Sequence, residues 1–503
     1  MNAENSKRIP IAFSETDSPR TSLLDSTMLA ARAAKTRWSR TTLEERLQLV
    51  RNLRELISEN ATRLAESSAA ARNRPTLESL TAEVLPLAEA CRFLEREAAK
   101  ILAPRRFGKR NRPLWLAGVR SEIHREPFGV ILVIGPGNYP LLLPGVQVIQ
   151  ALVAGNSVLL KPGVGGSNVA QILCELIIRA GFDPQLVHLL PESSTAARDA
   201  IAARPDKVLF TGSATTGEKI LAQLAPHLIP ATMELSGCDA VIVRADADLD
   251  LTVNALKFGL TLNNGATCMA PKRVFVARGI ATELEGRLAR ELSNTSASKE
   301  TSEQLRPLLN DAISRGAHFV AGGVYKNGEA SMPIALGGVS PESLLLREDV
   351  FAPVISLVTV ADDEEAVRRT NECPFALGAS VFSRDEAKAY SLAGQINVGV
   401  VTINDLILPT ADARLPFGGR GLSGFGTTRG AEGLFELTTP KVVTVTRSKF
   451  RPAFEKPQPG DEQLFQSYLK LAHGRGWPSR WRAFLSLIRT LSRRHKSSPQ
   501  EKL

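Results

Sequence analysis

Cysteine is scarce in this 503-residue chain and forms no recognisable pattern. Cys91, Cys174, Cys238, Cys268 and Cys373 are odd in number, widely scattered and without a CxxC pair or a histidine at ligand spacing. That excludes a disulfide framework and a zinc site, and the residues are read as free thiols in a reducing, cytoplasmic setting with no metal expected. Long apolar runs are missing as well. Nowhere do about 18 apolar residues follow one another, so no transmembrane helix is expected, and Met1 to Lys7 lacks the apolar stretch of a secretory signal. Nucleic-acid-reading motifs are also absent. The net charge is +10, but residues 451–503 hold 11 Lys+Arg against 4 Asp+Glu, which leaves only +3 for the first 450 residues. The basicity belongs to a tail, and nucleic acid is not an expected partner.

What is present is a folded composition, 43% hydrophobic and 23% charged, over a length that calls for two or three domains. Residues 1–22 are polar and aperiodic, and are read as a flexible arm. Thr41 with Glu44 reads as a capping box, followed by Leu43, Leu47, Val50, Leu53, Ile57 and Leu64 at helical spacing. A second helix is predicted over 83–103, with Cys91 on its apolar face, and strands within the basic stretch 104–125. From Pro127 short apolar runs alternate with helices. Strands are predicted at 130–134, 157–160, 186–190, 208–210 and 240–243, with helices at 167–180 and 215–224. The alternation resumes with helix 249–262, strand 273–277, helices near 282–294 and 301–316, strand 354–360, helix 363–371, strand 379–382, helix 385–393 and strand 400–404. Such alternation predicts an α/β fold built on a doubly wound parallel sheet, with a second α/β unit after it.

Several strand ends carry chemistry. Asn263-Asn264-Gly265-Ala266-Thr267-Cys268-Met269-Ala270-Pro271 is a small-residue loop presenting one thiol, with backbone donors expected to crowd the sulfur and acidify it. Its alternative is a structural cysteine. Strand 130–134 runs into Gly135-Pro136-Gly137-Asn138-Tyr139-Pro140, where Asn138 serves either turn geometry or donation to an oxyanion. Lys161 at the next strand's end reaches a phosphate or ribose, or is a solvated surface lysine. Thr211-Gly212-Ser213-Ala214-Thr215-Thr216-Gly217 opens a helix as a phosphate site would. Met233-Glu234-Leu235 puts a carboxylate in an apolar strand, either as a base of raised pKa or as half of a salt bridge. Glu348-Asp349-Val350-Phe351 offers acids beside an aromatic, and Pro416 to Gly424 is a Gly-rich closing loop.

In this order the segments resemble the aldehyde dehydrogenase superfamily over roughly residues 25–447, most closely its shorter, class 3-like branch. The resemblance implies Cys268 as nucleophile, Glu234 as the base that activates water, and Asn138 with the Cys268 amide as oxyanion hole. It further implies Lys161, Gly212, Ser213, Gly217, Asp349 and Phe351 as holders of NAD or NADP. The implied division is a dinucleotide-binding domain over 23–232, a catalytic domain over 233–415 and a return segment and oligomerisation strand over 416–450. A small β arm drawn from 107–125 and the strand near 441–447 would make a homodimer or dimer of dimers. Val164 stands where many NAD-preferring members place a ribose-binding glutamate, so NADP is not repelled. Gly137, Ala266 and Cys238 replace a common Trp, Gln and Lys, and Asp349 replaces a glutamate.

The implied activity is oxidation of an aldehyde to the acid through a cysteine thiohemiacetal and thioester, with apolar aliphatic or aromatic aldehydes favoured. Two other readings stay open: a CoA-acylating or reductive relative, against which Glu234 argues, and a catalytically silent binding protein of the same fold. The basic amphipathic tail, 451–503, offers Trp481, Phe484, Leu485, Ile488 and Leu491 on one face. It would dock on protein or, through 475–496, lie on a membrane surface.

Overall fold

The computed structural model describes residues 19–113, 116, 118–293, 297–300, 305–324, 329–447, 454 and 456–497. The expected loose arm lies mostly outside that range, although a helix already runs over Pro19–Trp38. Two compact units appear, one formed by residues up to 105 with 123–441, the other by 106–122 with 442–503.

The first unit holds two sheets. One has six strands in the order Gly424–Phe425, Ala231–Leu235, Lys207–Gly212, Val130–Ile134, Ser157–Lys161, Val187–Leu189. All its pairings are parallel except that of Gly424–Phe425. Val130–Ile134 is wholly buried, which explains its unbroken apolar run. Strand order reverses across it, and the crevice beyond such a reversal is where α/β sheets receive ligands. The second sheet runs Ala297–Glu300, Glu329–Gly337, Val354–Val360, Pro271–Ala277, Asp239–Val243, Gly378–Phe382, Val400–Ile403, with His318–Val324 paired to Glu329–Gly337.

Two features near the amino terminus differ from the sequence reading. The capping box is Thr42 with Glu45, one residue on: Thr42 Oγ1 accepts from the Glu45 amide at 3.2 Å and the Glu45 carboxylate accepts from the Thr42 amide at 2.7 Å. The helix it opens ends at Glu59, so Leu64 belongs to the next helix, Ala61–Arg72. Glu234 stands in strand Ala231–Leu235 of the six-stranded sheet.

In the second unit, helices Asp461–His473 and Trp477–Ser497 form a hairpin, with Ser467 and Ser486 hydroxyls 2.9 Å apart. A small sheet orders Arg105–Phe107, Val119–Pro127 and Thr438–Thr446. No helix among the described residues is long and apolar enough to cross a membrane.

Candidate active site

The loop carrying Cys268 is shaped by residues that tolerate left-handed backbone. After helix Leu249–Thr261, Asn263, Asn264 and Gly265 take φ of 51°, 54° and 74°, a region that Asn and Gly enter at least cost. Gly265 is also required by space, since a Cβ there would lie 2.4 Å from the Pro353 nitrogen. The loop therefore presses on the 349–353 segment. Lys272 fastens that approach, donating to the Gly265 and Ala352 carbonyls at 3.3 Å each. Burial lowers its amine to about 8, against the opposing charge of Asp349.

Asn138 reaches the same loop from the six-stranded sheet. Its Nδ2 donates to the Ala266 carbonyl at 3.0 Å, and its own carbonyl accepts from Asn263 Nδ2 at 2.9 Å. The Tyr139 and Thr267 hydroxyls meet at 2.7 Å. Two segments about 128 residues apart are thus joined next to Cys268. Asn138 itself does not line the cavity onto which the sulfur opens.

Glu234 does line it. Cys268 and Glu234 open onto one cavity of about 180 Å³ whose wall is otherwise mostly apolar, including Leu142, Leu143, Phe258, Ile407 and Phe417. Glu234 is 4% exposed; its Oε2 accepts from Thr428 Oγ1 at 2.8 Å, and its Oε1 is buried without a hydrogen-bond partner. Burial raises this carboxyl, with Arg429 and the Thr428 hydrogen bond acting the other way. The Cys268 thiol is also pushed up, first by burial and then by the charges of Glu234 and Asp239, while Arg429 and the Met269 amide oppose. Crowding donors were expected to acidify this thiol; burial and the neighbouring carboxylates push it the other way.

Thr428 and Arg429 were not anticipated. A backbone bridge between Phe417 and Thr428 folds this segment back onto the Gly-rich loop. An arginine set between two threonines and a glycine directly after that loop, Thr427-Thr428-Arg429-Gly430, was the only signal.

Of the expected dinucleotide residues, Lys161 and Gly212 end strands, Ser213 and Gly217 belong to the helix start that follows, and Asp349 and Phe351 precede strand Val354–Val360. Lys161 ends Ser157–Lys161 and is 8% exposed, so it is not a solvated surface lysine; burial lowers its amine, with Glu192 opposing. Gly212 ends Lys207–Gly212, and Ser213 caps helix Ala214–Leu224, its Oγ accepting from the Thr216 amide at 3.3 Å. Gly217 permits close packing, since a Cβ would meet Leu235 at 2.9 Å. Ser236 donates its hydroxyl to the Gly212 carbonyl at 3.4 Å, and it also lowers the Asp349 carboxyl electrostatically. Burial raises Asp349 to about 6, its Oδ1 is buried without a partner, and Phe351 is exposed nearby in sequence. A nicotinamide dinucleotide fits these groups. A capped helix N-terminus offers N–H donors to phosphate, and an orphaned carboxylate oxygen can accept from a ribose hydroxyl.

A doubly wound sheet with a dinucleotide-type crevice, beside a second sheet that brings a thiol to a buried carboxylate, defines a class of cofactor-using α/β enzymes. The sequence pattern of the Aldehyde dehydrogenase family matches residues 14–443, and the chain belongs to that family, enzymes that oxidise aldehydes with NAD or NADP. It is 30% identical over 466 residues to a 4,4'-diapolycopene aldehyde oxidase of Methylomonas sp, covering 90% of this chain and 87% of that one. A putative succinate-semialdehyde dehydrogenase [NADP(+)] 2 of Mycobacterium bovis is 30% identical over 436 residues, 83% of each chain. Among solved structures, betaine aldehyde dehydrogenase from Staphylococcus aureus in complex with NAD+ superposes with a TM-score of 0.77 at 26% identity, covering 86% of this chain and 89% of that one.

Proposed function

We propose that the chain oxidises apolar aldehydes to carboxylic acids through covalent chemistry at Cys268, with Glu234 as base and Asn138 as oxyanion donor. The observation that carries this reading is the shared cavity: Cys268 and Glu234 come from different sheets yet face one mostly apolar space. The apolar wall favours aliphatic or aromatic substrates over charged ones.

The neutral thiol must lose its proton to attack, and Glu234, with Oε1 unpartnered, is placed to take it. Attack by sulfur on the aldehyde carbon gives a thiohemiacetal. Asn138 spends one amide hydrogen on Ala266 and has a second for the oxyanion, beside the Cys268 backbone N–H. A nicotinamide dinucleotide, when bound, would supply the hydride acceptor, and Lys161, the Gly212–Gly217 turn, Asp349 and Phe351 would hold it. Loss of a hydride from the thiohemiacetal carbon leaves the thioester, and Glu234 gives the thiol's proton to solvent; the freed carboxylate then deprotonates water, which attacks the thioester carbon, the carbon–sulfur bond breaks and Cys268 is restored. Retention of Glu234 in the cavity favours this hydrolytic outcome over transfer to CoA.

The same reading extends to partners. The arm strands suit a homodimer or dimer of dimers, and the cytoplasm suits five free thiols. On the tail hairpin, Trp477, Trp481 and Leu491 are exposed alongside basic residues, which suits peripheral contact with an anionic membrane. Screening short, long and aromatic aldehydes with NAD and NADP in parallel tests the central claim, with Cys268→Ala as control. Turnover by that variant at the wild-type rate would overturn it.

A further inference from the structure

Among the described residues Arg429 is the one cation that lines the cavity shared by Cys268 and Glu234, and its backbone sets it apart from a structural arginine. Its backbone sits at φ 61° and ψ 173°, a conformation that belongs almost entirely to glycine, and a non-glycine residue held there points to a side chain the site requires. Its guanidinium is buried, stacked 4.4 Å over the Phe417 ring, with Nη1 donating to the Thr410 carbonyl. Its Nε is buried with no hydrogen-bond partner.

Glu234 Oε1 shares that last property. Two residues that line one cavity therefore each keep a polar atom without a partner, one a donor and the other an acceptor. The residue preceding Arg429, Thr428, already fixes the other oxygen of Glu234 at 2.8 Å, so the segment orients the carboxylate with Oε1 left over. A buried polar site of this kind holds water when it offers two or more partners and enough room, and about 180 Å³ is ample.

We propose that Arg429 is a positioning residue for the hydrolytic step: its Nε–H and Glu234 Oε1 hold between them the water that opens the Cys268 thioester. The water accepts from Arg429 through one lone pair and donates one hydrogen to Glu234, which leaves its second lone pair for the thioester carbon. On attack the proton passes to Oε1, the new carbon–oxygen bond forms, the carbon–sulfur bond breaks, and the sulfur leaves as thiolate. The acid product departs and the proton on Glu234 returns to the sulfur or to solvent. Arg429 exchanges no proton. Its positive charge also favours the developing hydroxide, and it faces both Cys268 and Glu234 electrostatically. This inference rests on the thioester mechanism above.

The test separates acylation from deacylation. Arg429→Gln and Arg429→Lys are compared with wild type in two ways: the burst and steady-state release of reduced cofactor with an aldehyde, and intact-mass detection of acylated Cys268 after a dinucleotide-free reaction with p-nitrophenyl acetate. Loss of the donor is expected to leave the burst at about one per site and slow the steady state by roughly 100-fold. Acyl-enzyme should accumulate in Arg429→Gln and less so in Arg429→Lys. Equal loss of burst and steady state, a change confined to KM, or no acyl accumulation in either variant would overturn the proposal. Unfolding of Arg429→Gln, seen as a lost melting transition, passes the decision to Arg429→Lys. A wild type that forms neither burst nor acyl-Cys268 would instead sink the thioester mechanism.

Discussion

Glu234 binds its proton more tightly in the folded protein than an ordinary carboxyl does, because burial outweighs the help of Arg429 and Thr428. Once the pH passes the ordinary carboxylate range, the unfolded chain has released a proton that the folded chain still holds. Stability linked to this residue is thus fully present at low pH and lost as pH rises through the raised folded value. Glu234→Gln should therefore melt higher than wild type at about pH 8 and level with it at about pH 4, a difference thermal scans across that range would read. A gap that stays constant with pH would mean packing, not charge, is responsible. The same variant should lose about 100-fold or more in kcat, with the rising limb of the pH–rate profile removed. Cys268, Glu234 and Asn138 were legible because each lies inside a motif of unusual local composition. Arg429 was not, because its place depends on a chain reversal, the Phe417–Thr428 bridge, that no local pattern announces.

At the scale of elements, the turn 263–265 is the piece least tolerant of change. Gly265→Ala would add a methyl group at positive φ against the Pro353 backbone, and is expected to cost about 2 kcal/mol or more and to displace the thiol. Denaturant midpoints with kinetics would check both, and a fully active, equally stable variant would refute the packing argument. Thr42→Ala should cost about 1 kcal/mol in the same measurement, whereas Thr41→Ala should not remove the capping box. That box shows how a one-residue error arises: Thr41, Thr42, Glu44 and Glu45 fit the spacing twice, and only the backbone decides. Strand 354–360 and helix 363–371 appear with the bounds their sequence implies. The strands His318–Val324 and Glu329–Gly337 escaped notice because glycines and a proline blur their alternation. Their register is irregular too.

For the molecule as a whole, the tail hairpin is the feature that sequence pattern described least. Its second helix was visible as a basic amphipathic stretch, but the helix Asp461–His473 beside it was not. Removing everything after Lys449 should abolish co-sedimentation with anionic vesicles while leaving aldehyde turnover intact; equal pelleting of both forms would dismiss a membrane role. Lys272 joins two segments far apart in the chain. By donating to the Gly265 and Ala352 carbonyls together it ties the loop that carries Cys268 to the segment that carries Asp349 and Phe351. Under the proposed roles, a cofactor that displaces Asp349 is expected to strain that tie, so the rate at which position 268 is alkylated should change when the dinucleotide is added.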